Sequence, residues 1–140
     1  MTATITITNP ILSGMNPDPS WIWDDEFQRI VLVTSTFELV PGLPIYVSED
    51  MTCWKHVSNV IDADLARRLL IPFVDDSGGV YAPTLRRIHG KYVIACTIAR
   101  LDDRRAMEGG CTESELMRFH AAEGNFILEA DSIEGPWHGP

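Results

Sequence analysis

The stretch Arg29-Ile-Val-Leu-Val-Thr-Ser-Thr36 decides the fold class, because it is apolar and rich in β-branched residues over the length of one strand. Such a run favours a buried β-strand over a helix. The acidic turn Asp24-Asp25-Glu26 separates it from Pro19-Ser-Trp-Ile-Trp23, which is also typical of a strand. The short connection allows the two runs to pair as an antiparallel hairpin.

Short apolar runs continue to alternate with turn residues along the first half of the chain. Pro41-Gly42 predicts a turn, and Pro44-Ile-Tyr-Val-Ser48 predicts the next strand. Thr52-Cys-Trp-Lys-His-Val57 alternates between polar and apolar residues in the manner of a half-buried strand. The first half therefore predicts about four strands joined by connections short enough for antiparallel hairpins.

The second half predicts a similar unit of strands. Ser77-Gly-Gly79 indicates a flexible turn, and strands are predicted over 80–88 and 91–98 around a two-residue turn at His89-Gly90. Residues 125–130 predict one more strand. Many short antiparallel strands with Gly, Pro and Asp turns are typical of a sandwich, a barrel or a propeller, and two local units ending in Trp-containing strands favour the propeller.

Three segments depart from this regular pattern. Asp62–Leu70 spaces its apolar residues as a helix does, with Asp62 or Asp64 as its N-cap. Residues 100–124 are charged and weakly periodic, which predicts a long surface loop with one helical turn near Glu113–Phe119. Pro136-Trp137 opens a further short strand. Packing in the core or between sheets is expected for the tryptophans, which are Trp21, Trp23, Trp54 and Trp137.

Charge and composition exclude several classes of function. The 140-residue chain carries 20 acidic and 11 basic side chains, a net charge of −9, and no cluster of Lys or Arg that could displace phosphate counterions, so no nucleic-acid partner is expected. No apolar run reaches the roughly 20 residues of a membrane span, so no membrane partner is expected either. The segment Met1–Thr8 shows no secretory signal, which leaves a cytoplasmic protein or a shortened gene model of a secreted one as the two interpretations.

Cysteines and histidines give no sign of a metal or cofactor site. The three cysteines are irregularly spaced and are expected to be buried or free thiols; they are Cys53, Cys96 and Cys111. The four histidines lack the spacing of metal ligands, and no glycine-rich phosphate loop is present. We therefore expect neither a metal nor a cofactor.

The most unusual stretch is Asn9-Pro-Ile-Leu-Ser-Gly-Met-Asn-Pro-Asp-Pro-Ser20. Asp18 stands between two prolines, each of which fixes its own φ and restricts the residue before it. A carboxylate on a stiff backbone, in an apolar setting at the start of a strand, suits a general base. The other interpretation is a rigid loop with a turn-forming Asp, and the residues alone leave both open.

This stretch resembles the opening of glycoside hydrolase family 43, the family of β-xylosidases and α-arabinofuranosidases. Further blocks resemble that family in the same order and spacing; they are Thr34–Asp50 with Trp54, Gly78-Gly-Val-Tyr-Ala-Pro-Thr84 with His89-Gly-Lys-Tyr92, and Asn125–Ala130 with Ile133-Glu-Gly-Pro-Trp137. The likeness is strongest to the β-xylosidase-like branch. Four linked blocks are far more specific than any one of them.

The resemblance implies an all-β, five-bladed β-propeller with a central active site and an inverting hydrolysis by three carboxyl groups. Asp18 matches the general base. Phe37 matches an aromatic residue that lines the sugar subsite, and Tyr81 stands where the family usually has Trp. An aromatic face at Tyr81 can still pack against sugar C–H groups, with a smaller ring and a hydroxyl. The implied partner is a xylo- or arabino-oligosaccharide, and the oligomeric state is left open.

The family's other two carboxyl groups follow the Gly-Pro-Trp block, so neither the general acid nor the Asp that adjusts its pKa is expected in this chain. Structural or solvated roles are expected for Glu129, Asp131 and Glu134. Five blades need roughly 160–240 residues. Residues 1–140 are therefore expected to be the N-terminal portion of the propeller domain, with about two blades and the start of a third, and to be an inactive fragment by themselves.

Three functions remain in competition from the sequence. The first is a glycosidase that acts on xylan- or arabinan-type saccharides with Asp18 as its base. The second is a non-catalytic carbohydrate-binding module or pseudoenzyme that uses Phe37 and Tyr81. The third is an all-β interaction domain of unrelated function, which would have to match four linked blocks by chance.

Overall fold

The β-branched runs form two antiparallel sheets in a computed structural model that describes residues 4–140. Residues 1–3, which belong to the Met1–Thr8 segment interpreted above as lacking a secretory signal, lie outside the described residues. The first sheet has the order β1-β2-β3-β4, and its strands are β1 (Ser20–Asp24), β2 (Arg29–Val33), β3 (Gly42–Ser48) and β4 (Lys55–Ile61). The predicted hairpin between the first two runs is confirmed, with Ile22 opposite Val31.

The second sheet has the order β5-β6-β7, with strands β5 (Val74–Ile88), β6 (Lys91–Leu101) and β7 (Asn125–Ala130). The predicted turn at His89-Gly90 joins β5 to β6. In the region of the expected Pro136-Trp137 strand, His138 forms an isolated bridge with Glu129 of β7. The described residues thus contain one four-stranded and one three-stranded sheet, and no strand of a third sheet is among their elements.

The strand predicted over 52–57 begins later, at Lys55. The Asp50 carboxylate accepts hydrogen bonds from the backbone N–H groups of Thr52 (2.8 Å) and Cys53 (2.9 Å), which fold this segment into a turn. These bonds hold the pKa of Asp50 well below its usual range. The turn chemistry of Asp50 therefore overrides the alternating pattern that follows it.

A helix forms where the spacing of Asp62–Leu70 predicts one. Helix α1 spans Ala63–Arg68, and the Asp62 side chain caps it by accepting from Leu65 N at 2.8 Å. A short 3₁₀ helix, Ile71–Phe73, leads into β5.

The long loop predicted over 100–124 is wrong, because two helices occupy most of it, although the helical turn predicted near Glu113–Phe119 lies within the second of them. Helix α2 spans Asp103–Glu108 and helix α3 spans Glu113–Ala121. Thr112 and Glu115 form a reciprocal capping box at the start of α3. Helix α3 contains no buried residue, so its hydrophobic periodicity is weak and the capping residues are the stronger signal.

The expected burial of the tryptophans fails for two of the four. Trp21 is 57% exposed and Trp23 is 44% exposed. Successive residues of a strand point to opposite faces of the sheet, so both lie on the face opposite to Ile22, which packs against the core. Trp54 and Trp137 are half-buried, and Trp137 packs against the core.

The main core lies between the two sheets. It combines Val31 and Val33 of β2 with Leu85 of β5, Ile94 of β6 and Leu128 of β7, all with no exposed area.

All three cysteines are free thiols; Cys96 and Cys111 are buried and Cys53 is exposed. No helix within residues 4–140 is long and apolar enough to cross a membrane.

A buried carboxylate joins the sheets at the end of β1. Asp24 has no exposed area, and one of its oxygens lies 2.7 Å from Nη1 of Arg87 in β5. Tyr92 donates its hydroxyl to the other oxygen, and Arg29 Nε lies 3.7 Å from the same atom. Burial, followed by the hydrogen bond to Asp24, raises the pKa of the Tyr92 hydroxyl. Asp24 therefore ties both strands of the second sheet's hairpin to the first sheet.

We expect Asp24→Asn to lower the free energy of unfolding by about 2 kcal/mol, since it leaves partly buried arginines without their charged partner. Urea denaturation followed by tryptophan fluorescence measures this loss. Asp25→Asn, at the exposed neighbouring carboxylate, is the matched control and should change stability by less than about 0.5 kcal/mol. Equal effects of the two substitutions would show that Asp24 does not join the sheets.

Candidate active site

Asp18 lies two residues before the start of β1 and is exposed, so the apolar setting expected for it is wrong. The neighbouring Trp21 and Trp23 are themselves largely exposed and do not enclose it. Its φ is 49°, in the left-handed region, although a residue before proline usually prefers extended backbone. Asp tolerates the left-handed region better than most residues.

Ser35 links Asp18 to the second sheet. Ser35 has no exposed area, and its hydroxyl donates to Asp18 Oδ2 at 2.8 Å. Ser35 Oγ also accepts a hydrogen bond from the backbone N–H of Ala82 at 2.8 Å. The backbone N–H of Ser35 also donates to the carbonyl of Pro17 at 2.9 Å. One buried side chain therefore joins three segments that are distant in sequence.

The sequence did not predict a contact between Ser35 and Asp18. The only signal for it was the polar run Thr34-Ser-Thr36 that directly follows the buried strand β2. A buried polar group needs a hydrogen-bond partner, which points to a structural or functional contact without saying which residue supplies it.

Phe37 and Tyr81, the two predicted sugar-binding residues, are in contact. Their ring centroids lie 4.8 Å apart at an interplanar angle of 58°. A backbone bridge between Phe37 and Val80, with N···O distances of 3.1 and 2.9 Å, holds the two segments together. Tyr81 also donates its hydroxyl to the carbonyl of Ser77. Both residues are half-buried, so each keeps some exposed area.

The flexible turn predicted at Ser77-Gly-Gly79 is instead an irregular part of β5, where the pairing with β6 shifts in register. Gly79 has φ +99°, and a Cβ built there would lie 2.2 Å from the carbonyl oxygen of Phe37. The glycine therefore permits the close approach of β5 to Phe37.

Several residues of this region have left-handed backbone, and Ser77 with φ 61° is one of them. The φ angles are 49° at Asp18, 53° at Phe37 and 47° at Ala82. Such conformations cost on the order of 1–3 kcal/mol each and concentrate at functional sites, although residues in tight turns, such as Gln28 and His89, adopt them as well. The surrounding hydrogen bonds hold the three residues in place.

Cys96 of β6 lies directly behind this region, with its Sγ 3.0 Å from the carbonyl oxygen of Tyr81. Burial raises the pKa of its thiol to about 12, and the negative charge of Asp18 adds to the shift. The thiol is therefore protonated at neutral pH and is not a nucleophile.

The acidic residues near the C-terminal end lie elsewhere. Glu129 of β7 pairs with Lys91 at 2.8 Å, which lowers the pKa of Glu129, and Asp131 and Glu134 are exposed in the turn that follows. A cavity of about 700 Å³ borders Ala82 and Cys96, but Asp18 is not among its lining residues. The part of the chain that the structure describes contains no group of three or more His, Cys, Asp or Glu side chains that could hold a metal ion.

Gly79→Ala should destabilise the protein by about 3 kcal/mol, because its Cβ would overlap the Phe37 carbonyl and the backbone would also be strained. Gly90→Ala is the matched control, since Gly90 has φ +85° and a Cβ there meets no described atom within 4 Å. It should cost about 1 kcal/mol. Denaturant unfolding of both variants compares the losses, and similar values would argue against the close approach at Gly79.

Comparison with known proteins identifies the family to which the chain is similar. The family model described as "Glycosyl hydrolases family 43" matches residues 7–140. A non-reducing end α-L-arabinofuranosidase of Bacteroides ovatus is 36% identical over 137 residues, and a xylan 1,3-β-xylosidase of a Vibrio species is 34% identical over 139 residues. These alignments cover 96% and 98% of this chain and 22% of each relative, so the chain spans about a fifth of their length.

Solved structures give the same result. The xyloglucan PUL GH43B protein of Bacteroides ovatus superimposes with a TM-score of 0.72 at 34% identity, over 96% of this chain and 22% of that one. The fold of this family is a five-bladed β-propeller, and the two sheets belong to that all-β architecture, as the sequence resemblance predicts. The match over residues 7–140 shows that the chain belongs to glycosyl hydrolase family 43.

Proposed function

We propose that this chain is the part of a glycosidase that supplies the general base, Asp18, for the hydrolysis of glycosidic bonds in xylan- or arabinan-type saccharides with inversion at the anomeric carbon. One observation carries the proposal: the Asp18 carboxylate is held by Ser35, whose hydroxyl also binds the strand that carries Tyr81. Two relatives of the chain, named as an arabinofuranosidase and a xylosidase, support the substrate class.

In this proposal the two oxygens of Asp18 have different tasks. Ser35 donates to Oδ2, so Oδ1 is the oxygen oriented to accept a proton from water. That water attacks the anomeric carbon from the side opposite to the leaving group, and its proton passes to Asp18. A second carboxyl group, roughly 6.5–9.5 Å away, must protonate the leaving oxygen in an inverting enzyme.

The general acid and the Asp that adjusts its pKa are not assigned to any residue of this chain. Glu129 of β7 is paired with Lys91, and the acidic residues after β7 are exposed. The chain spans 22% of the length of the relatives it matches. We propose that the two missing groups belong to a segment that corresponds to the rest of that length. The 140 residues would then supply the base and one wall of the sugar subsite.

Phe37 and Tyr81 form that wall in our proposal. Their tilted contact at 4.8 Å presents two ring faces to one ligand, and the C–H groups of a sugar ring pack well against aromatic faces. The hydrogen bond from Tyr81 to Ser77 fixes the position of the smaller ring that stands in place of the family's Trp.

We expect the purified 140-residue chain to show no measurable hydrolysis of 4-nitrophenyl β-xyloside or α-arabinofuranoside, because no residue in it is assigned as the acid. Turnover by this chain that is lost in Asp18→Ala would contradict its inactivity while supporting the role of Asp18 as the base.

Calorimetric titration with xylo-oligosaccharides tests the carbohydrate-binding alternative, which the Phe37–Tyr81 pair favours. Binding that is lost in Phe37→Ala, without turnover of any substrate, would support that alternative.

Asp18→Asn should lower kcat by about 10²- to 10⁴-fold, with little change in KM, because it removes the proton acceptor and keeps the shape of the side chain. The assay uses a chimera in which residues 7–140 replace the matching segment of the Vibrio xylosidase, which supplies the remaining length. Asp131→Asn, an exposed carboxylate after β7, is the control and should leave both constants unchanged. An active Asp18→Asn chimera would exclude Asp18 as the base.

A further inference from the structure

We propose that Ser35 is a positioning residue that sets the orientation of the Asp18 carboxylate relative to the Phe37–Tyr81 pair. The inference rests on the proposed role of Asp18 as general base and adds a residue to that site. It is carried by the chain of hydrogen bonds from Ala82 N–H to Ser35 Oγ and from Ser35 Oγ–H to Asp18 Oδ2, each 2.8 Å long.

The direction of these two bonds is fixed by chemistry. A backbone N–H can only donate, so the bond from Ala82 occupies a lone pair of the Ser35 oxygen. The single hydroxyl proton is then directed to the carboxylate, which as an anion can only accept. A hydrogen bond to a charged group is roughly twice as strong as a neutral one, and the bond from Ala82 polarises the hydroxyl further.

Burial makes this link rigid. Ser35 has no exposed area, so water does not compete for its hydroxyl, whereas Asp18 itself is exposed. An exposed Asp side chain normally exchanges between rotamers within nanoseconds. Ser35 therefore supplies the constraint that an exposed general base needs if one oxygen is to face water and the other to stay fixed.

The same link connects the base to the aromatic wall. Ala82 directly follows Tyr81, and Phe37 lies two residues after Ser35. Asp18, Phe37 and Ala82 all have left-handed backbone, so small shifts in any of the three segments would re-aim the side chains. Because one hydroxyl connects the three segments, the carboxylate and the two rings keep a fixed position relative to each other.

Thr36 provides the matched control. Its Oγ1 is also buried and accepts a hydrogen bond, from Leu43 N at 3.3 Å, but that bond joins the β2–β3 connection to β3 and does not involve Asp18. Thr36→Val thus removes a buried hydroxyl from the same polar run while leaving the Asp18 link intact. A merely structural role for Ser35 would make the two variants behave alike.

The test measures the Hα–Hβ coupling constants of Asp18 and the hydrogen exchange of the Ala82 amide by NMR in the 140-residue chain. We expect one Asp18 rotamer in the unmodified chain and in Thr36→Val, and averaged couplings with about tenfold faster Ala82 exchange in Ser35→Ala. Averaged couplings in the unmodified chain would overturn the proposal, and so would an unchanged Asp18 rotamer in Ser35→Ala.

Two further outcomes are distinguishable. If Ser35→Ala does not fold, Asp18→Ala tests the link from the other side. We expect the Ser35 hydroxyl proton to exchange slowly in the unmodified chain and rapidly in Asp18→Ala; equally slow exchange in Asp18→Ala would overturn the proposal. If Ser35 fixes the rotamer but Asp18→Asn leaves chimera turnover unchanged, the positioning stands and the proposed function fails.

Discussion

The contact between β1 and β5 sets the relation between the two sheets, and the site depends on it. Leu85 N donates to Ser20 Oγ at 3.0 Å in the middle of this contact. At one end Asp24 binds Arg87, and at the other Ser35 connects Asp18 to Ala82. Because both ends are closed by buried polar groups, the two strands cannot slide without leaving those groups without partners, which is costly in a low-dielectric interior.

These two ends serve different purposes. Asp24 is fully buried and surrounded by Arg87, Tyr92 and Arg29, so it contributes to stability and has no access to a ligand. Asp18 is exposed, and its one described side-chain hydrogen bond leaves the rest of the carboxylate open to water. Burial and the number of partners, rather than residue type, separate a structural carboxylate from one that can act on a substrate.

Much of the fold could be predicted, since β-branched runs such as Ile30–Val33 favour a strand that buries one or both of its faces. Helix α3 was predicted only as one helical turn near 113–119, because it has no buried residue and its apolar period in the sequence is weak. Gly78 and Gly79 were taken for a turn because glycine permits both a turn and a close backbone approach, and only the position of the Phe37 carbonyl distinguishes them. Trp21 and Trp23 were expected inside on size alone, but the alternation along β1 places Ile22 on the core face.

The sequence by itself determined the family and the strand order of the first sheet, and it singled out Asp18, Phe37 and Tyr81, because linked motifs and strand periodicity are local properties of the chain. Only the tertiary structure decided that Asp18 is exposed and that Ser35 holds it. The reason is physical: the hydrogen bonds of Ser35 span 17 residues to Asp18 and 47 residues to Ala82. Such contacts exist only after the two sheets have packed.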